Sequence, residues 1–170
     1  MNRSFPSVPW NTPDLWREAN ACLATAIRRN ISCMADLCSL TDRIRQKLES
    51  LFPIMEELCR VTCPDCKDIC CRRSWVWADF KDLLFFHLAD IAVPDRQLLS
   101  QQGDDCRYGS AEGCCLERVQ RPFVCTWYVC PDQSEHLRQT PAKMLCVSSS
   151  LQEIKALRNE MEATFIRALV

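Results

Sequence analysis

The chain has 170 residues, with 21 Lys and Arg against 22 Asp and Glu, a formal charge of −1. That is the length of one domain, able to bury most of its extended-chain surface without covalent staples. The near-zero charge excludes a strongly basic nucleic-acid or membrane-surface protein, and 3 glycines with no GxGxxG or GxxxxGK[ST] exclude a glycine-rich phosphate loop.

Residues 1–12, interrupted by Pro6 and Pro9, read as an irregular N-terminal arm. No apolar run follows Arg3, so no signal peptide is expected and the chain is placed in the cytoplasm. Residues 13–170 read as a single domain: a helical segment over 13–60, a cysteine-cluster core over 61–131 and a C-terminal helix over 147–170. Thr12-Pro13-Asp14 has the form of a helix start, with a cap, a proline at the first helical position and an acidic first turn. Leu23, Ile27, Met34, Leu37, Ile44, Leu48, Leu51, Met55 and Leu58 follow in alternating steps of four and three, with Asn30 and Thr41 at the missing seam positions. Pro53 removes a backbone donor and is expected to end or kink this run near Leu51-Phe52. The reading is therefore one long or two shorter helices between 13 and 51, then a short one over 53–60.

Residues 77–90 read as a helix with a strongly apolar face, and 91–105 as a connection containing Pro94 and Gly103. The last element places Leu151, Ile154, Leu157, Met161, Phe165 and Leu169 on one face, with Ser148 to Ser150 as a cap. The predicted fold is mostly α: long amphipathic helices packed on each other and on the helix around Phe80, framing an irregular cysteine-rich metal-binding core at one end. The seam over 23–58 has a competing use, pairing with a protein partner or a second copy of the chain.

The 14 cysteines decide the chemistry, because there are only 2 histidines. In a reducing compartment clustered thiols point to metal or redox chemistry before disulfides. Ten of the 14 fall in two bursts, five over 59–71 and five over 106–130. The first contains Cys63-Pro64-Asp65-Cys66 and then Cys70-Cys71; a CxxC turn points two sulfurs the same way, as a tetrahedral metal demands. Adjacent side chains diverge, so Cys70 and Cys71 are expected to serve different centres or different corners of a cluster, with the second burst completing the coordination. That burst runs from Cys106 through Cys114-Cys115 to Cys125 and Cys130. Arg72, Arg73, Arg107, Arg118 and Arg121 stand close enough in sequence to offset the thiolate charge, the alternative being solvated arginines balanced by Asp65, Asp68, Asp104 and Glu117. Trp75, Trp77, Trp127 and Tyr128 are read either as a shield for the site or as plain core. Cys22, Cys33, Cys38, Cys59 and Cys146 are read as small buried hydrophobes, His87 as a hydrogen-bonded core residue, and His136 as part of a polar loop.

This arrangement resembles the YkgJ-type cysteine-cluster family, described as a zinc- or iron-chelating domain, whose pattern is CxxCxxCC followed by a spacer and a segment like CxIYxxRPxxCRxFPC. Counting back from Arg121-Pro122, Cys115 falls on the family cysteine, with Cys114 beside it; Cys125 and Cys130 follow at the family spacing, and Cys106 opens this half. Cys63, Cys66, Cys70 and Cys71 match the first half with one extra residue before Cys70. Lys67, Glu117 and Thr126 depart from the family's glycine, its aromatic or histidine, and its arginine. The resemblance covers residues 63–130 and implies eight metal ligands: Cys63, Cys66, Cys70, Cys71, Cys106, Cys115, Cys125 and Cys130. It also implies an iron–sulfur cluster or zinc as cofactor. Part of the wider family is linked with flagellin lysine N-methylation, which keeps an enzyme as an alternative, beside a helical partner-binding protein with a structural zinc. The expected partners are the metal or cluster and a protein or second copy on the N-terminal helices, with neither nucleic acid nor membrane.

Overall fold

The structure, a computed structural model, describes residues 7–30, 35–64, 66, 76–110 and 113–169. Helix α1 spans Pro13–Arg29 and starts as the sequence dictates: Thr12 Oγ1 accepts from Leu15 N at 3.3 Å, with Pro13 at the first position and Asp14 in the first turn. Asn30 closes it, its backbone N–H donating to Ile27 O and its side chain to Ala26 O.

Helix α2 runs without interruption over Ala35–Thr62, so Pro53 does not end it. The proline deprives the Glu49 carbonyl of its donor, and Glu49 and Pro53 are both exposed, on the side of the helix open to water. The opposite face carries Leu37, Leu40, Ile44, Leu48, Leu51, Met55 and Leu58, all buried, and their packing keeps the helix continuous through the break in its hydrogen-bond ladder. Leu37, Ile44, Leu48, Leu51, Met55 and Leu58 belong to the seam read from the sequence, and these are covered within the chain itself.

Helix α3, Phe80–Leu88, begins with a reciprocal cap: Asp79 Oδ1 accepts from Asp82 N at 2.8 Å and Asp82 Oδ2 from Asp79 N at 2.9 Å. Leu83, Leu84, Phe85 and Phe86 are buried in succession, which makes α3 an inner helix. A minimal antiparallel hairpin follows, β1 (Gly109–Ser110) with β2 (Gly113–Cys114), and then a single 3-10 turn over Arg118–Gln120. Gly113 has φ +118°, a conformation that side chains with a Cβ rarely adopt. Helices α4 (Val124–Trp127), α5 (Pro131–Arg138) and α6 (Pro141–Leu169) complete the chain. Helix α6 begins at Pro141 rather than near 147. Ser148 and Ser149 are internal to it and hydrogen-bond back to the carbonyls of Leu145 and Cys146 instead of capping.

The longest helices, α2 and α6, pack along each other, and α1, α3 and α5 close the core around them. The arm is docked: Val8 is buried beside Leu98 and Leu99, and Pro9 O accepts from Gln97 Nε2 at 3.0 Å. The fully buried Gln97 also bonds both backbone groups of Ala78, joining three segments with one amide. Trp16 Nε1 donates to Pro94 O at 2.8 Å and ties α1 to the connection after α3.

A buried ion pair anchors the second cysteine segment to this frame. Arg158 of α6 bonds Asp82 Oδ1 at 2.8 Å and Asp79 Oδ1 at 2.9 Å, and lies over the Phe123 ring at 4.8 Å. Asp82 Oδ1 also accepts from Phe123 N, two residues before Cys125. Burial pushes the Asp82 carboxyl up to about 6, against the pull of Arg158. Among the described residues no helix is long and apolar enough to cross a membrane.

Candidate metal centre

The first burst grows out of the end of α2. Cys59 lies in the last turn, Cys63 N donates to Cys59 O at 2.9 Å, and Cys66 N to Cys63 O at 3.2 Å. The backbone therefore turns through the CxxC step as that spacing predicts. Cys70 and Cys71 lie outside the described residues, as do Arg72, Arg73 and Trp75.

The second burst is folded back on itself by the hairpin. Cys115 N donates to Tyr108 O at 2.8 Å, and Gly109 pairs with Cys114, returning Cys114 and Cys115 toward Cys106. Cys106 is 9% exposed and sits in a small apolar cluster with Val8, Leu98 and Leu99, against which Cys125 and Trp77 pack. Burial pushes its thiol up. The neighbouring Cys114 and Cys115 add to the rise, and the backbone N–H groups of Tyr108 and Gly109 oppose it without reversing it. Gly109 N donates to Cys106 O at 3.0 Å and closes the turn after Cys106.

Cys130 caps α5, its Sγ accepting from Gln133 N at 3.4 Å, while Gln133 Oε1 accepts from Cys130 N at 3.3 Å. Gln133, only 4% exposed, uses its remaining donor on the first burst: Nε2 lies 3.6 Å from Cys59 Sγ. One buried glutamine thus bonds a sulfur from each burst. Cys59 and Gln133 were not in the expected ligand environment. The sequence signals for them are spacing alone: Cys59 lies one helical turn before Cys63, and Gln133 stands where a capping box after Cys130 requires it.

Other expectations are corrected. Arg107 turns to Gln97 O and Ser100 Oγ, Arg121 Nε donates to Leu116 O, and Arg118 lies over Phe52. Each serves a carbonyl, a hydroxyl or a ring. Trp127 is half exposed and edge-on to Tyr128, so it is not a core residue. Cys22, Cys38 and Cys146 are exposed rather than buried, each adjacent to a buried residue (Leu23, Leu37 and Val147) and hence rotated off the apolar stripe. Cys33 lies outside the described residues. His87 Nε2 donates to Asn20 Oδ1 at 2.9 Å, as read, and burial lowers its pKa; His136 lies on α5 rather than in a loop.

Among the described residues no three His, Cys, Asp or Glu side chains converge on one point as metal ligands. What they provide is Cys125 packed against the apolar cluster that holds Cys106, Cys114 and Cys115 turned back by the hairpin, and Cys59 with Cys130 at Gln133. No family model, curated protein or solved structure matches the chain.

Proposed function

We propose that this is a cysteine-cluster metal-binding protein, holding zinc or an iron–sulfur cluster through thiolates from both bursts. The observation that carries the reading is the N–H···S bonding at Cys130 and Cys59, where one buried glutamine, Gln133, donates to a sulfur from each burst. A thiol serving only as a small hydrophobe has no use for amides aimed at its sulfur, whereas a metal-bound thiolate is stabilised and oriented by them. The donor set fits a soft, sulfur-preferring metal, since cysteines outnumber histidines 14 to 2. The resemblance over residues 63–130 supports the same ligands, Cys63, Cys66, Cys70, Cys71, Cys106, Cys115, Cys125 and Cys130.

Bound metal would crosslink the end of α2 to the hairpin and to the start of α5, and zinc or a cluster would supply structural rigidity or electron storage there. The chain's own residues set the environment. Gln133 orients Cys59 and Cys130, the turn closed by Gly109 N–H on Cys106 O holds Cys106, and Leu98, Leu99 and Trp77 limit water around it. The test is metal analysis of the whole chain purified without oxygen, with a visible spectrum. Stoichiometric zinc in a colourless protein, or iron and sulfide in a brown one, supports the reading; a folded chain with neither refutes it.

A further inference from the structure

The stretch before α1 lies against the apolar cluster that holds Cys106. Val8 is 5% exposed and is buried there with Leu98 and Leu99. Arg107 N donates to Leu98 O at 3.0 Å, which ties the backbone beside Cys106 to the same wall. Pro9 O accepts from Gln97 Nε2, and the Trp10 ring sits edge-on to Trp16 of α1, with 6.3 Å between centres. Trp10 makes its turn at φ +48°, a left-handed conformation that costs energy in a bulky residue.

We infer that residues 7–9 form a strap, hinged at Trp10, that closes over the Cys106 cluster and lifts to admit metal to that thiol; the admission of metal rests on the function proposed above, the lifting does not. The contacts are of a kind that part cleanly. Lifting Val8 and Pro9 strands no polar atom of Gln97: its Nε2 keeps Ala78 O at 3.0 Å, its Oε1 keeps Ala78 N and Leu98 N, and Pro9 O passes to water. The Trp10 ring can stay on Trp16 while φ relaxes, which swings Pro9 and Val8 away and removes the left-handed turn. The main force holding the strap down is the burial of one valine side chain, which yields locally without unfolding the helices.

Alkylation of the folded full chain with iodoacetamide tests the strap, each cysteine being read by peptide mass spectrometry after purification without oxygen. Cys106 is expected to label more slowly than the exposed Cys22 and Cys146. Its rate should be nearly flat in low urea, because lifting the strap exposes little surface. Val8→Ser should raise the Cys106 rate about tenfold and leave Cys22 and Cys146 unchanged; the urea dependence of the wild-type chain decides the matter if that variant misfolds. A Cys106 rate that climbs steeply from the first addition of urea, as global unfolding requires, overturns the inference. So does an unchanged Cys106 rate in a folded Val8→Ser. In the metal-loaded chain the same variant should lose metal to a chelator faster by a similar factor, and unchanged loss overturns the role in metal entry. A folded chain that binds no metal refutes the proposed function instead, while the labelling rates still decide the strap.

Discussion

Gln133 makes three hydrogen bonds from a position 4% exposed: one to Cys59 Sγ, one to Cys130 Sγ and one that accepts from Cys130 N. Replacing it by glutamate keeps an acceptor for the cap but turns the donor facing Cys59 into a second acceptor. Gln133→Glu is therefore expected to weaken metal retention about tenfold or more with little loss of helix, read by competition against a chromophoric chelator and by circular dichroism. Retention equal to wild type would show that the glutamine is only a cap. Arg158 sets a second residue-scale expectation. Arg158→Met strands the buried Asp82 and should cost about 3 kcal/mol at neutral pH. Asp82 in the folded chain is raised to about 6 from 3.8, so the folded state holds that proton more tightly than the unfolded one. Its contribution is fully present below the lower value and is lost as pH rises through the upper one. In the variant, with the opposing arginine gone, urea unfolding should show a smaller deficit at pH 5 than at pH 7; an equal deficit would contradict the direction. The cysteine positions were legible in the sequence because spacing alone singles them out. Gln133, Asp82 and Arg158 were not, because a polar residue bonded across 74 to 79 positions leaves no local pattern.

Among the elements, α2 is the informative case. Periodicity located its buried face correctly, since Leu37, Ile44, Leu48, Leu51, Met55 and Leu58 are all covered, but local chemistry misplaced its end. A proline on the wet face removes one hydrogen bond, whereas the buried stripe on either side contributes several side chains' worth of packing, and packing prevails. The cost of the proline should be recoverable. Pro53→Ala is expected to raise stability by about 1 to 3 kcal/mol, a gain of a few degrees in melting temperature; a lower melting temperature would mean that the proline serves the fold. The start of α6 was missed for the converse reason. Ser148 to Ser150 resemble a cap in isolation, yet Pro141 opens the helix seven residues earlier than the serines. The hairpin at Gly109–Ser110 and Gly113–Cys114 is too short for alternation to reveal. The capping box at Asp79 and Asp82 marks the start of α3, at Phe80, three residues inside the sequence reading.

At the scale of the whole molecule, the links between the helical frame and the cysteine segments include Gln97 under the arm, Asp82 with Arg158 beneath Phe123, and Gln133 between Cys59 and Cys130. The mostly α frame was legible because its amphipathic stripes are long. The way the two bursts meet was not, because spacing fixes which sulfurs neighbour each other in sequence and not which meet in space. If the metal closes this arrangement, its binding energy is part of the folding energy, and occupancy and stability must fall together. The exposed Cys22, Cys38 and Cys146 offer the internal control, since they lie on helix faces turned to water. The most direct measurement is metal content and melting temperature of Cys106→Ser and Cys130→Ser beside Cys22→Ser and Cys146→Ser, all purified without oxygen. The account predicts that the first two lose metal and melt lower while the other two match wild type; full metal in Cys106→Ser and Cys130→Ser, or equal losses in all four, would contradict it.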